Sequence, residues 1–232
     1  MLDCRTARPT PCRDDRAGRT MMPSTTTLTA IRAQGPAPAR WRRLLASLGK
    51  RAPDDEPLLF RDIIASNGLY DALWCLKALP EGYHGSIIHL ACDYAERVLP
   101  MFEDYSPHDK RPRRAIEVAR RFADGEATRE ELDAACEAAY RAASEVNGRM
   151  RRQRSRRGFC EAGGNSEGYA ACAARNAAGT KYRGVGGEAT VAAGYVLLAV
   201  LRSVPRPEQC AAMDAERQAQ IEMFVGRLEG SS

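Results

Sequence analysis

The sequence predicts an all-α protein: a multi-helix, bundle-like domain of short amphipathic helices with no sheet. Three observations support this prediction. Apolar residues recur at a spacing of about 3.6 residues through most of residues 41–147. Residues that start and stop helices separate these segments in the correct order. Alternating β-branched residues, the pattern of a half-buried strand, are absent from the sequence.

Residues 1–40 differ in composition from the residues that follow. They are rich in Arg, Pro and Thr and show neither a helical nor a strand period. Segments of this composition cannot bury enough apolar surface to offset the entropy of ordering the chain. We therefore predict that residues 1–40 are a disordered basic tail, with Met21 or Met22 as a candidate for the true translation start.

Residues 41–147 form the predicted core domain. Their spacing predicts successive helices at about 41–48, 58–66, 69–79, 86–105, 110–124 and 129–144. Trp74 lies among leucines of the third helix, so we expect it in the core rather than in an exposed recognition patch. Tyr140 falls on the same predicted inward side as Leu132.

Several residues in this core domain mark helix ends. Gly125 is placed to end the fifth helix. The sequence from Thr128 to Glu131 is a capping box, which predicts the start of the sixth. Pro100 interrupts the fourth helix and is expected to kink or split it.

The signal for helices weakens after residue 147. Residues 148–187 contain an arginine cluster and then a Gly- and Ala-rich stretch without a clear period. We predict a linker or a marginal helix there. Periodic apolar residues return within residues 188–229, where we predict C-terminal helices that pack on the core.

Positive and negative charges are distributed unevenly along the chain. Residues 41–148 hold 15 Lys and Arg against 19 Asp and Glu, whereas residues 149–232 hold 13 against 8. The formal net charge of +5 therefore comes from the two flanks. This distribution argues against inferring nucleic-acid binding from the basic balance of the whole chain.

The cysteines and the hydropathy limit the cellular setting. None of the eight cysteines forms a C-x-x-C pair, and no secretory signal is recognisable, so a disulfide framework is not expected. The longest apolar run, residues 191–201, is shorter than the roughly 20 residues of a membrane-spanning helix. We predict a soluble, cytoplasmic protein that does not associate with membranes.

No catalytic or metal-binding constellation is recognisable in the sequence. His84, His89 and Cys92 lack the short, repeated ligand spacing of a zinc site. We interpret His89 as a surface histidine, with Asp93 as its helical neighbour. Motifs of nucleophilic catalysis and of phosphate-binding loops are also missing. The sequence therefore predicts no metal, no cofactor, no catalytic residue and no enzymatic activity.

The arginine cluster supports an alternative function. Its members could contact a phosphate backbone in a salt-dependent, sequence-independent way. A solvated positive linker is the simpler interpretation, because no aromatic or groove-reading element accompanies the cluster. The cluster consists of Arg149, Arg151, Arg152, Arg154, Arg156 and Arg157.

Four phrases of the sequence are similar to a known family. They are SNGLYDALWCLKAL, ACDYAERVLPMFE, DKRPRRAIEVARRFADGEATREELDAA and the terminal AERQAQIEMFVGRL. They resemble the putative immunity protein family, small all-helical proteins of bacterial polymorphic toxin systems that also occur in phage and prophage genomes. The resemblance covers about residues 41–145 and 214–229.

The resemblance implies a non-enzymatic protein that neutralises a cognate bacterial toxin by binding it. An acidic central domain is compatible with a basic toxin surface, because complementary charge speeds encounter. The alternative is a phage or prophage accessory protein that binds nucleic acid through the arginine cluster. For a partner surface we predict polar residues that lie off the apolar stripes: Asp93, Glu96, Arg97, Lys110, Arg111 and Arg113.

Overall fold

A computed structural model describes residues 21–156, 166–178 and 206–229, with positions 191–192, 194–195, 199 and 203 between them. This part of the chain is predominantly helical, which confirms the predicted fold class. The helices are α1 (Leu28–Ala33), α2 (Pro38–Ser47), α3 (Phe60–Asn67), α4 (Leu69–Cys75), α5 (His84–Tyr105), α6 (Arg111–Ala123), α7 (Arg129–Arg156), α8 (Ser166–Ala178) and α9 (Gln209–Glu229). Short 3-10 turns cover Leu76–Ala78, Glu81–Tyr83 and Arg206–Glu208.

Residues 21–40 are folded, which corrects the predicted disordered tail over this range. Two-residue strands β1 (Thr25–Thr26) and β2 (Leu58–Leu59) pair antiparallel, so the prediction of no sheet is also corrected. Met22 is buried beside this ladder, and α1 buries Leu28 and Ile31. Such short elements show no period in the sequence. Residues 1–20 lie outside the described part of the chain.

The predicted helix ends in the core are confirmed where side chains define them. The Thr128 hydroxyl accepts a hydrogen bond from the Glu131 amide at 3.2 Å, and the Glu131 carboxylate accepts one from the Thr128 amide at 2.8 Å. This reciprocal pair is the predicted capping box. Gly125 follows α6 with a φ of 76°, a left-handed conformation that side chains with a Cβ rarely adopt.

Helix α5 continues through Pro100 without a break, so the predicted split does not occur. Pro100 is exposed. A proline on the solvent side leaves the unpaired carbonyl of the preceding turn within reach of water, which makes an uninterrupted helix tolerable. The opposite side of α5 is almost entirely buried, and this helix forms the centre of the molecule.

The segment predicted as a linker or marginal helix contains two well-defined helical parts. Helix α7 extends to residue 156, and α8 packs against α5, α6 and α7. Ala170, Ala174 and Ala177 of α8 are fully buried. A helix surrounded by other helices needs no polar face, so it shows no amphipathic period. The remainder of the predicted linker, 157–165 and 179–187, lies outside the described residues.

Helix α9 packs across the N-terminal and central parts of the fold. The rings of Phe224 and Phe60 meet edge to face, with 5.7 Å between their centroids. The buried Tyr94 hydroxyl donates a hydrogen bond to the Gln220 carbonyl at 3.0 Å. These contacts join the last described helix to α3 and α5.

Candidate interaction surface

All six residues predicted to bind a partner form ion pairs inside the chain. They lie on α5, on α6 and immediately before α6, where the fold brings other charged helices alongside them. Some of their partners are close in the sequence, such as Asp109 beside Arg111, and others are distant, such as Glu216 for Arg97. The predicted surface is therefore built into the contacts between helices.

Asp93 and Glu96 share one partner on α6. The guanidinium of Arg120 donates to the Asp93 carboxylate at 2.8 Å and to both Glu96 carboxylate oxygens at 2.8 Å. Arg227 of α9 also contacts Asp93. Because a guanidinium has several donors in a rigid plane, Arg120 can hold both carboxylates at once.

Arg97 connects α5 to α9. Its Nε and Nη2 atoms donate to the two carboxylate oxygens of Glu216 at 2.9 and 2.8 Å. The Glu216 side chain is only 8% exposed. These hydrogen bonds from Arg97 stabilise its charged form and raise the pKa of the guanidinium. The pair holds a buried carboxylate in a neutralised state.

The three cations at the start of α6 are paired in the same way. Arg113 donates to both oxygens of Glu103 at 2.7 and 2.6 Å, and Lys110 lies 3.5 Å from the same carboxylate. The hydrogen bonds from Arg113 lower the pKa of Glu103. Arg111 bridges Asp109 and Glu145 of α7 at 2.7 and 2.8 Å. These pairs connect α5, α6 and α7.

The sequence showed that these six residues lie off the apolar stripes, but it contained no information on their partners in space. A charged residue off the apolar stripe can be exposed to solvent, or it can form an ion pair with a residue on a neighbouring helix. Their role in binding another protein stays a prediction. The contacts that the structure shows for them are ion pairs that hold the helices together.

The arginine cluster is only partly within the described side chains. Arg149 lies on α7, 3.8 Å from Glu145. The backbone of α7 continues through residue 156, so this part is helix rather than linker. The side chains of the other members, Arg151, Arg152, Arg154 and Arg156, and all of Arg157 lie outside the described residues. Nucleic-acid binding through the cluster stays a prediction.

His89 is buried, which contradicts its interpretation as a surface histidine. Its side chain is 5% exposed, and Nε2 lies 2.8 Å from a carboxylate oxygen of Asp124, at the end of α6. Cys92 is fully buried beside it along α5, and this burial raises the pKa of its thiol well above the usual range. Within the described residues, no group of three His, Cys, Asp or Glu side chains is arranged to hold a metal ion.

The exposed side of α7 carries a large aromatic residue that sequence reasoning placed in the core. Tyr140 is 47% exposed, and among the described residues only Leu59 is another large hydrophobic side chain with such exposure. At about 100° per helical residue, Tyr140 lies about 80° from Leu132, on the side away from most other buried residues of this helix. That angle was the available signal that Tyr140 sits at the edge of the stripe.

Charged residues surround Tyr140 on this face. Asp133 and Glu137 precede it by seven and three residues, and Ser144 follows it by four, so all share its side of the helix. The guanidinium of Arg175 lies 5.0 Å from the ring centroid of Tyr140. We call Tyr140 and its neighbours Asp133, Glu137, Arg141 and Ser144 the α7 face. An exposed tyrosine within a polar rim is typical of protein-binding surfaces.

The α7 face belongs to a segment that matches a known family. Residues 77–156, about a third of the chain, match the family model described as Imm-5 like putative immunity protein. The match spans α5, α6 and α7, and it confirms the family resemblance over this segment. The earlier phrase around Trp74 and the phrase in α9 lie outside it. Comparisons with curated proteins and with solved structures give no match.

None of the described helices combines the length and the apolar character that crossing a bilayer requires.

Proposed function

We propose that this protein is a non-enzymatic, cytoplasmic immunity protein that neutralises a cognate bacterial toxin by binding it through the α7 face. The observation that carries the proposal is the family match over residues 77–156, which contains an exposed tyrosine on one of its helices. The family description supports a toxin-neutralising role. The α7 face supplies a surface of the appropriate chemistry.

The composition of the α7 face supports recognition of another protein. Tyrosine offers a large, rigid contact area and loses little conformational entropy when it is buried. Glu137 forms a helical ion pair with Arg141 at 3.2 Å, and both side chains are exposed. Exposed pairs of this kind contribute little to folding stability, so their charges remain available to a partner. Because Asp133 pairs with Arg129 at 3.4 Å and Arg175 lies over the Tyr140 ring, the face carries both signs of charge and suits a toxin surface of mixed charge.

The proposal is tested by co-expression with the toxin candidate encoded beside this gene. The wild-type protein should relieve growth arrest and co-purify with the toxin. The Tyr140→Ala variant should bind at least tenfold more weakly, because removal of a central aromatic anchor commonly costs about 2 kcal/mol or more. A Glu137→Ala variant should mainly slow association.

Arg114→Ala is the matched control, because Arg114 is exposed on α6 within the same matched segment but outside the α7 face. Circular dichroism should show equal helicity for all variants. Failure of the wild-type protein to relieve arrest or to form a complex would refute the immunity function. If Tyr140→Ala neutralised the toxin as well as the wild type did, the binding surface would have to lie outside the α7 face.

A further inference from the structure

A pocket of about 280 Å³ lies in the N-terminal part of the protein, outside the segment that matches the family. It is formed by the connection between α1 and α2 together with α2, α3 and α4. Its walls are mainly apolar. The apolar side chains that line it include Ile31, Trp41, Leu44, Ile63, Trp74 and Cys75.

The volume of the pocket suits a small organic molecule. A dry apolar cavity of about 150 Å³ is enough to bind benzene, and pockets for small ligands begin near about 300 Å³. A space of about 280 Å³ therefore has room for one aromatic ring with a short substituent. The side chain of Trp74 is half-buried at this site, while Trp41 is buried.

One edge of the pocket is polar. The Arg40 guanidinium donates to Asp71 at 2.7 Å, and the Asn67 amide donates to the other Asp71 oxygen at 2.9 Å. Asn67 also donates to the Arg40 carbonyl at 3.0 Å, which fixes both residues. Asp71 is thus neutralised within the chain. Arg40 itself remains 60% exposed, with further N–H donors available to a ligand.

Two further cations lie over the tryptophan rings of the pocket. The Arg32 guanidinium lies 5.6 Å from the ring centroid of Trp41, and the Lys77 ammonium lies 5.5 Å from that of Trp74. Each tryptophan therefore already has a cation of this chain over its ring, the position that a cationic ligand would seek. With Arg40 added, three cations oppose one carboxylate. This arrangement favours an anionic ligand.

The cysteine in the pocket wall does not supply a nucleophile. Burial raises the pKa of the Cys75 thiol to about 12, so the thiol stays protonated at neutral pH. Among the residues that line the pocket, Arg40 and Asp71 are the charged ones, and they form an ion pair with each other. The chemistry of the site is that of binding rather than of reaction.

We propose that this pocket is a binding site for a small aromatic carboxylate. The ring occupies the apolar space between Trp41 and Trp74, and the carboxylate accepts hydrogen bonds from the Arg40 guanidinium at the rim. Charge-assisted hydrogen bonds of this type are stronger than neutral ones and give the site its preference for anions.

The chain contains its own reporter for this site. Both of its two tryptophans line the pocket, so the intrinsic tryptophan fluorescence reports on the pocket alone. Three probes share one apolar group and differ in charge: phenylpropanoate, phenylpropanol and phenylpropylamine. Titration of the full chain with phenylpropanoate should change the fluorescence saturably. Phenylpropanol should bind more weakly, and phenylpropylamine should bind weakest of the three.

Two variants test the position of the ligand. Arg40→Gln should weaken phenylpropanoate binding about tenfold, because the charge-assisted contact is lost and Asp71 is left without its cation. Phenylpropanol binding should stay unchanged within about twofold, because an uncharged ligand is little affected by either change. Arg43→Gln, an exposed arginine on the same helix that does not line the pocket, is the matched control and should bind like the wild type. Ala37→Leu, which adds volume at an exposed residue of the pocket wall, should weaken the binding of both probes.

Thermal melts of each variant should show a folded protein, since Arg40 and Ala37 are both exposed. A saturable response to phenylpropanoate that is lost in Arg40→Gln and kept in Arg43→Gln supports the site. Absence of a saturable response to all three probes would overturn it. Equal binding of the anion and the amine, or an anion affinity that Arg40→Gln does not change, would overturn the assignment of ligand class.

Discussion

Arginine side chains hold several helices of this protein together by forked contacts with carboxylates. Arg97 donates two hydrogen bonds to Glu216, and Arg120 donates hydrogen bonds to both Asp93 and Glu96. A lysine at these positions could not reproduce the contacts, because its ammonium is a single point of charge. The guanidinium groups therefore tie α5 to α6 and to α9 through contacts of defined geometry.

The contact between Arg97 and Glu216 gives a prediction at the scale of single residues. Arg97→Ala leaves the buried Glu216 carboxylate without its cation, so we expect the free energy of unfolding to fall by about 2 kcal/mol. Urea denaturation followed by circular dichroism measures this change. Combining Arg97→Ala with Glu216→Gln should recover part of the loss, because the amide removes the unpaired charge.

Arg114→Ala removes an exposed arginine from α6 and serves as its control, with an expected change within about 0.5 kcal/mol. An Arg97→Ala protein as stable as this control would show that the pair does not hold α9 in place. If a fully stable Arg97→Ala protein captured less of the partner, that result would support the predicted role of Arg97 in binding.

Residue roles were the part of the structure that sequence reasoning predicted least well. The sequence places His89 on the surface because it lies off the apolar stripe, yet the residue is buried and Asp124 pairs with its Nε2 atom. Tyr140 is predicted inside because its spacing puts it on the side of Leu132, yet it lies at the edge of the buried stripe and is exposed. Both outcomes depend on the neighbouring helix, which periodicity within one helix does not reveal.

At the scale of elements, α8 shows how a helix can escape recognition. The amphipathic helices α5, α6 and α7 were predicted because each has one polar side, and because Gly125 marks the end of α6 and a capping box the start of α7. Helix α8 has apolar neighbours on three helices and consists largely of alanine. Small residues permit close helix packing. Because alanine occupies several sides of the helix, the difference in hydrophobicity between its faces is small and no period is visible in the sequence.

Close packing around α8 leads to a prediction about volume. Ala173 is fully buried, so Ala173→Leu should force neighbouring side chains apart and destabilise the protein by about 1–3 kcal/mol. For a protein of this size, each kcal/mol corresponds to about 2–4 °C in the midpoint of thermal unfolding. Differential scanning calorimetry measures the shift.

The same substitution at an exposed alanine separates overpacking from a general effect of leucine. Ala46→Leu on α2 should leave the thermal midpoint within about 2 °C of the wild type, since Ala46 is exposed. Equal midpoints for Ala173→Leu and the wild type would mean that α8 is not tightly enclosed.

At the scale of the whole molecule, ion pairs between helices make stability depend on pH. Arg113 lowers the pKa of Glu103, and Arg111 lowers the pKa values of Asp109 and Glu145. A carboxyl group whose pKa is lowered on folding stabilises the folded state at pH values above its ordinary pKa of about 4. That contribution is lost as the pH falls through the lowered value.

We therefore expect the thermal midpoint to fall as the pH is reduced below about 4. Glu103→Gln should lower the midpoint at neutral pH by about 2–4 °C, and this difference should vanish in acid, where Glu103 is protonated in both states of the wild type. Asp55→Asn, which neutralises an exposed carboxylate in the connection between α2 and β2, is the control and should show no such difference. Equal pH profiles for Glu103→Gln and the wild type would contradict the linkage.

The general architecture was predictable from the sequence, whereas the arrangement of the N-terminal part was not. Periodicity and caps were enough to identify helices of eight or more residues in the core. The two-residue strands and the six-residue α1 are held by contacts with distant residues, such as the hydrogen bond from the Phe60 amide to the Ser24 carbonyl at 3.0 Å. Elements stabilised by long-range contacts leave almost no local signal.

The position of α9 has a consequence for the timing of folding during biosynthesis. Chains are made from the N-terminus, so α3 and α5 leave the ribosome well before the helix that covers them. The ring contact between Phe60 and Phe224 and the hydrogen bond from Tyr94 to the Gln220 carbonyl can form only after α9 has been synthesised. Until then the nascent protein presents an unfinished apolar surface, and the translation of residues 209–229 sets the earliest moment at which this surface can close.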